Sequence, residues 1–116
     1  MNFNQKEIRK LAEGDARTFE ALHRTFFPKV HQFALMLLKN AQDADDVCQI
    51  IFMKVWLRRA RLLEVASLDS YLFMLSKNSI LDYLSSRKMK NNDSDKIPEK
   101  TDAVTTTIWW QATRNC

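Results

Sequence analysis

Hydrophobic residues recur at steps of three and four positions along most of the chain, which is the spacing of one face of an α-helix. The first such segment covers residues 5–13. Asn4 precedes it and is a good N-terminal cap, while Gly14 follows it and can adopt the left-handed conformation that ends many helices. The pattern therefore predicts a short helix at the start of the chain.

The second predicted helix begins after Asp15, whose side chain is a suitable N-terminal cap. Its apolar stripe consists of Phe19, Leu22, Phe26, Val30, Phe33 and Leu37. Pro28 lies inside this stripe, where it removes one backbone donor. We expect Pro28 to kink the helix near residues 25–27 without ending it, and Asn40 to be a suitable stop.

The third predicted helix starts at Asp43 or a near neighbour, because acidic residues suit the positive end of the helix dipole. Its broad apolar face consists of Ala44, Val47, Cys48, Ile51, Phe52, Val55 and Trp56. The pattern fades over residues 58–66, which we interpret as frayed helix followed by a loop.

The fourth predicted helix has Ser67 as a good cap and Asp69 in its first turn. Its apolar residues lie on more than one side, with Leu68, Leu72 and Leu75 on one and Phe73, Ile80 and Leu84 on another. We therefore expect this helix to be central in a bundle.

The pattern changes after about Lys90. Residues 91–96 are polar and without period, as in a linker. The sequence offers no explanation for the adjacent Trp109 and Trp110. It predicts an all-α protein, with a compact bundle of about four helices over residues 1–90 and a flexible tail over 91–116.

The composition supports this fold class. One glycine and two prolines supply few of the turns that an all-β fold needs. No apolar run is long enough to span a membrane, and residues 1–6 lack the apolar stretch of a secretory signal. We expect a cytoplasmic protein without membrane insertion. Cys48 falls on an apolar helix face and is predicted to be a small core residue.

The sequence indicates neither catalysis nor metal binding. His23 and His31 are about two helical turns apart, too far to share a metal without other ligands. The acidic cluster at residues 43–46 lacks the glycine of a calcium loop, and a chain with one glycine has no glycine-rich phosphate loop. We expect a binding protein that is not an enzyme and needs no cofactor.

The formal net charge of +4 is mild, but its distribution is uneven. Acidic residues gather at Asp43, Asp45 and Asp46, and basic ones at Lys54, Arg58, Arg59 and Arg61 and again at Lys77, Arg87, Lys88 and Lys90. Such asymmetry favours two charged surfaces for two partners, although solvated helix faces give the same pattern.

Three segments in order resemble region two of sigma factors of the extracytoplasmic-function group. They are GDARTFEAL at residues 14–22, DADDVCQIIFMKVW at 43–56 and SLDSYLFMLSKNSILDYL at 67–84. The resemblance covers roughly residues 10–90. It implies a compact helical domain that binds core RNA polymerase and promoter DNA to direct transcription initiation, with an anti-sigma factor as a further candidate partner.

In that family, the third helix docks against the clamp coiled coil of the largest polymerase subunit. The resemblance implies polymerase-binding roles for Asp43, Asp46, Gln49 and Met53. A carboxylate suits pairing with arginines, and an amide both donates and accepts. Ile50 stands where the family usually has glutamate, so either one polar contact is weaker or this position packs inward.

The fourth helix and the loop before it hold, in the family, the single non-template strand of the melted minus-ten promoter element. The resemblance implies DNA-binding roles for Arg58, Arg59, Arg61, Ser70, Tyr71, Lys77, Asn78, Arg87 and Lys88. Cations neutralise phosphates, and the Asn78 amide is suited to reading a base edge.

Three further positions bear on DNA binding. Tyr71 and Trp56 either stack on a base or pack in the core, and we favour the core. Residues 62–66 are, by resemblance, a wall of a base pocket. Ser85 and Ser86 stand where the family often has a basic residue, which predicts weaker DNA affinity.

Nothing after Lys90 resembles the second helical domain, which in the family reads the minus-thirty-five element. We expect inefficient initiation by this chain alone, since two tethered domains add affinity through effective concentration. One alternative is a degenerate module that binds polymerase or an anti-sigma factor without DNA, which Ile50 and Ser85 slightly favour. Another is an unrelated helical bundle whose tail mediates self-association.

Overall fold

The computed structural model describes residues 4–91 and 102–114, with side chains described over 4–86 and 106–112, and it confirms the all-α class. This part of the chain forms five α-helices and one short 3-10 helix. The α-helices are α1 (Gln5–Ala12), α2 (Ala16–Leu38), α3 (Ala41–Leu57), α4 (Leu68–Asn91) and α5 (Asp102–Arg114). The 3-10 helix covers Arg59–Leu63, between α3 and α4.

Local hydrogen bonds explain where α1 begins and ends. The Asn4 side chain accepts a bond from the backbone N–H of Glu7 at 3.0 Å, as predicted for an N-terminal cap. Gly14 follows α1 with φ of 98°, a conformation that costs glycine little because it has no Cβ. The predicted first helix and both of its terminating residues are confirmed.

The long helix α2 is continuous through Pro28, so the prediction that this proline does not end the helix is confirmed. Asp15 caps the start of α2, with its carboxylate accepting bonds from the backbone N–H of Arg17 and from the Thr18 hydroxyl. These hydrogen bonds, first that from Thr18, lower the pKa of Asp15. The helix ends at Leu38, and Lys39 adopts a left-handed conformation with φ of 57°.

Helix α3 begins two residues earlier than the acidic cluster suggested. Asn40 is its cap and accepts a bond from the backbone N–H of Asp43 at 2.9 Å. Asn40 therefore starts α3, and α2 ends before it. The frayed segment predicted after α3 is in part ordered as the 3-10 helix, because Leu62 is buried in the core and fixes this turn.

The core lies around α2, which packs against α1, α3, α4 and α5. The prediction that the fourth helix would be central is wrong in this respect, because α4 keeps one exposed arc and α2 has the larger number of neighbours. The fully buried large side chains include Leu11, Leu22, Phe33, Ile51, Leu62, Leu72, Ile80 and Trp109. They come from α1, α2, α3, the 3-10 helix, α4 and α5, so a single core joins these elements.

Helix α5 was not foreseen from the sequence. Trp109 is 2% exposed, and its ring meets those of Phe33 and Phe73 at centroid distances of 5.1 and 5.6 Å. Ala112, one turn later, is also buried. The described part of the predicted tail is thus a helix that contributes to the core, and this explains Trp109.

Ser67 caps α4 as predicted, since its hydroxyl accepts a bond from the backbone N–H of Ser70. Cys48 is 1% exposed, which confirms its prediction as a core residue. Burial raises the pKa of the Cys48 thiol to about 12, and the nearby Asp45 carboxylate adds to this shift. None of the helices in the described ranges has the length and hydrophobicity needed to span a membrane.

Candidate functional site

One long face of α3 remains exposed, whereas the opposite face is buried in the core. Asp46, Gln49, Ile50, Met53 and Leu57 lie on this face, each three or four residues from another member of the set. We call these five residues the α3 stripe. Asp46, Gln49 and Met53, to which the resemblance assigns docking roles, are exposed.

The α3 stripe is unusually apolar for a surface. Leu57 is 69% exposed, Met53 is 60% exposed, and Ile50 is 39% exposed. The possibility that Ile50 packs inward is therefore wrong. Adjacent exposed apolar side chains on one helix face are typical of a protein-binding surface.

Helix α4 borders the α3 stripe on one side. The Tyr83 hydroxyl donates a bond to Oδ1 of Asp43 at 2.8 Å, and Lys54 Nζ donates to the Ser79 hydroxyl at 3.1 Å. Asp43 is half-buried in this contact. Of the four residues predicted to bind polymerase, Asp43 alone faces the junction between α3 and α4.

Helix α2 borders the stripe on the other side through a row of aromatic rings. Phe19, His23, Phe27 and His31 follow one another at four-residue spacing, and successive ring centroids are 5.1 to 6.5 Å apart. Trp56 of α3 meets Phe19 edge-on at 5.1 Å. His31 Nε2 lies 2.8 Å from Oδ1 of Asp45, which joins α2 to the start of α3.

A second exposed arc runs along α4. Ser70, Met74 and Asn78 are exposed at four-residue steps, and Tyr71 and Lys77 are half-buried at the edges of the same arc. We call these five residues the α4 arc. The structure thus brings four residues of the predicted DNA surface, Ser70, Tyr71, Lys77 and Asn78, onto one side of α4.

The cations around the 3-10 helix differ in their surroundings. Arg58 and Arg61 are exposed. The Arg59 guanidinium lies 4.4 Å from the centroid of the Trp56 ring, and its Nη1 donates to the Trp56 carbonyl oxygen at 2.9 Å. Arg59 is thus packed against Trp56, near Gly14. Arg87 and Lys88 lie in α4, but their side chains are outside the described residues.

The two aromatic residues considered for base stacking are both packed. Trp56 contacts Phe19 and Arg59, and Tyr71 packs partly against the core. Residues 62–66, the expected wall of a base pocket, differ in their exposure. Leu62 is buried in the core, whereas Leu63 is 57% exposed. Leu62 therefore lies too deep to contact a base.

Sequence reasoning missed two exposed apolar side chains next to the predicted residues. Leu57 extends the α3 stripe, and Met74 lies between Ser70 and Asn78 on the α4 arc. Their helical spacing from the predicted residues was a signal that could have identified them. Spacing alone did not identify Leu57 and Met74, because apolar residues in a helical pattern are first assigned to the core.

The two exposed surfaces differ in the partners that they suit. Among the side chains described over residues 4–86 and 106–112, no three of His, Cys, Asp or Glu are grouped so that they could hold a metal ion. The α3 stripe combines a carboxylate, an amide and three apolar side chains, as a protein partner requires. The α4 arc combines an amide, a hydroxyl and a cation, which suits a polar partner.

Comparisons with known proteins agree with the resemblance at the level of sigma-70 region 2. Residues 22–89 match the family model of sigma-70 region 2. The RNA polymerase sigma-H factor of Pseudomonas aeruginosa is 24% identical over 96 residues, which cover 83% of this chain and 50% of that protein. The chain thus spans about half the length of this curated relative. No solved structure matches the chain.

The family match extends from α2 to α4 and includes both the α3 stripe and the α4 arc. It leaves α1 and α5 outside. Since it covers more than half of the 116 residues, this chain belongs to the sigma-70 region 2 family.

Proposed function

We propose that this chain is the promoter-melting domain of an RNA polymerase sigma factor of the extracytoplasmic-function group. It docks on core RNA polymerase through the α3 stripe and holds the non-template strand of the minus-ten element along the α4 arc. Its expected location is the cytoplasm, where both partners are found.

The observation that carries the docking proposal is the α3 stripe itself. Three large apolar side chains, Ile50, Met53 and Leu57, are exposed on one face of a helix whose opposite face packs into the core. Asp46 and Gln49 add polar groups to the same face. A partner helix with apolar residues and an arginine matches this combination, and a coiled coil on the polymerase clamp offers such a surface.

The DNA proposal is supported by the α4 arc and by two cations at the 3-10 helix. Asn78 is exposed and can read a base edge, while Lys77 and the exposed Arg58 and Arg61 can neutralise phosphates. Met74 provides an apolar surface between Ser70 and Asn78 against which a base can pack. Arg87 and Lys88 extend the predicted charge along α4.

The docking proposal is tested by capture of purified bacterial core RNA polymerase on immobilised protein. A variant with Asp46→Lys and Gln49→Ala should retain its helicity by circular dichroism and lose most of the capture. The matched control is Glu20→Lys on α2, which makes the same charge change at an exposed residue outside the stripe. Equal capture by wild type and the double variant would reject the α3 stripe as the docking surface.

A second candidate is an interaction module that binds polymerase or an anti-sigma factor but not DNA. It is favoured by the exposed Ile50, an apolar residue where the family usually has an acidic one, and by the exposed Ser85 on α4. Binding of single-stranded oligonucleotides that depends on their sequence would exclude this candidate. Polymerase capture without any oligonucleotide binding would support it.

A further inference from the structure

Three helices meet at one carboxylate on the edge of the α4 arc. Oδ1 of Asp69 pairs with Nζ of Lys29 from α2 at 2.5 Å, and Oδ2 accepts a bond from Nε1 of Trp109 from α5 at 3.1 Å. Both oxygens of Asp69 are therefore engaged. Lys29 is itself buried and lies 4.3 Å from the centroid of the Trp109 ring.

This contact adjoins the α4 arc in sequence and in space. Asp69 lies in the first turn of α4 and directly precedes Ser70 and Tyr71. An unpaired carboxylate at this point would repel a DNA phosphate. The Lys29 ammonium offsets this charge, and the hydrogen bond from the Trp109 N–H holds the carboxylate in place at the start of the helix.

Trp109 also reaches the arc by a second contact. Its ring packs against Phe73, and the Lys77 ammonium lies 5.7 Å from the centroid of that same Phe73 ring. Asp69, Phe73 and Lys77 follow at four-residue steps and so form one column along α4. Trp109 contacts the first two members of this column, and the third is a predicted phosphate-binding cation.

We propose that Trp109 is a positioning residue for nucleic-acid binding: α5 docks on α2 and α4 so that Asp69 is held in its ion pair with Lys29, and Lys77 is held at the edge of the α4 arc. This inference rests on the DNA part of the proposed function. Helix α5 lies outside the family match. The inference gives it a role in single-stranded DNA binding but no role in polymerase docking. Trp109 itself, being buried, does not touch the DNA.

The test compares Trp109→Phe with Trp110→Phe in the full chain. Trp109→Phe keeps an aromatic ring but removes the N–H that binds Asp69. Trp110→Phe makes the same chemical change at the next residue, which is 57% exposed. Affinity is measured with a fluorescent twelve-residue oligothymidine over a range of salt concentrations, at a temperature well below the melting point of each variant.

We expect Trp109→Phe to weaken oligothymidine binding by about two- to tenfold, the size of one lost hydrogen bond. Polymerase capture should be unchanged, and Trp110→Phe should change neither. Lys77→Ala should also weaken oligothymidine binding. In the Lys77→Ala protein, Trp109→Phe should cause a smaller loss of affinity than it causes in the wild type, because both changes act on the same phosphate contact. Phe73→Leu, which removes the ring below Lys77, provides a second variant with the same expectation.

Four results would overturn the inference. The first two are unchanged oligothymidine binding by Trp109→Phe and tighter binding, which would make α5 a cover over the surface. The third is a loss of affinity in the double variant equal to the sum of the losses of Trp109→Phe and Lys77→Ala. The fourth is a loss of polymerase capture by Trp109→Phe as large as its loss of oligothymidine binding, which would indicate a general structural role. Failure of the wild type to bind oligothymidine would instead reject the DNA part of the proposed function, and the inference with it.

Discussion

The hydroxyl of Tyr83 on α4 donates a 2.8 Å hydrogen bond to Oδ1 of Asp43 on α3, across a separation of forty residues. This bond directs the Asp43 side chain toward α4 and away from the α3 stripe. Asp43 and Asp46 are close in sequence, yet the first belongs to a helix junction and the second to an exposed face. The two carboxylates therefore have different predicted contributions to docking.

Asp43→Asn should reduce polymerase capture much less than Asp46→Asn, because an amide oxygen at residue 43 can still accept the Tyr83 hydroxyl. Both changes remove one negative charge, so each is the control for the other. Capture of core polymerase at equal protein concentration is the measurement. A larger loss for Asp43→Asn would place Asp43 in the docking surface.

Tyr83→Phe should lower the free energy of unfolding by about 0.5–1.5 kcal/mol, the usual net contribution of one hydrogen bond. The ring itself is retained, so its packing is unaffected. Urea titration followed by circular dichroism measures this change. Stability equal to that of the wild type would mean that this bond contributes nothing net to the junction between α3 and α4.

The apolar part of the α3 stripe is predicted to bind polymerase directly. Met53→Ser and Leu57→Ser together should weaken capture and change the free energy of unfolding by less than about 1 kcal/mol, since both side chains are mostly exposed. Leu63→Ser, at an exposed leucine on the 3-10 helix, is the matched control. Capture that survives the double change but fails in the control would contradict the assignment.

Base reading by α4 and phosphate binding by the exposed arginines at the 3-10 helix should separate. Asn78→Ala is expected to reduce the preference among oligonucleotide sequences, whereas Arg58→Ala with Arg61→Ala should weaken all sequences alike. The double change should lower the slope of log affinity against log salt by up to about 1.4, or about 0.7 for each lost phosphate contact. An equal loss at every sequence for Asn78→Ala would argue against base reading.

Replacing Lys39 by glycine should stabilise the protein by up to about 1 kcal/mol, because this residue ends α2 in a left-handed conformation that suits glycine. Lys39→Ala removes the same charge but keeps the Cβ, so it should give no such gain. Thermal melting of the two variants measures the difference. Equal melting temperatures would mean that the lysine is not strained here.

The raised pKa of Cys48 predicts a pH dependence of stability. Above about pH 9 the thiol ionises in the unfolded chain but stays protonated in the folded one until about pH 12. The unfolded state then binds fewer protons, so the free energy of unfolding falls as the pH rises through this range. Cys48→Ala should show a shallower decline between pH 9 and 11 by urea titration, whatever its stability at neutral pH. An identical slope would contradict the shift.

Much of the fold was predictable from local sequence. Asn4, Asp15 and Ser67 cap the helices expected of them, because a cap bonds to a backbone group only two or three residues away. The apolar faces of α2 and α3 were also predictable, since helical spacing alone puts their residues on one side. The same spacing put Asp46, Gln49 and Met53 on one exposed face.

The sequence could not determine which residues that are distant along the chain come into contact in the fold. Asp43 faces Tyr83, Arg59 packs on Trp56, and Trp109 binds Asp69, and none of these partners is specified by periodicity. The helix α5 is the clearest case, because its pattern is too short to identify a core face by itself. Only packing against Phe33 and Phe73 turns that segment into part of the bundle, since those rings shield from water an indole that would otherwise be exposed.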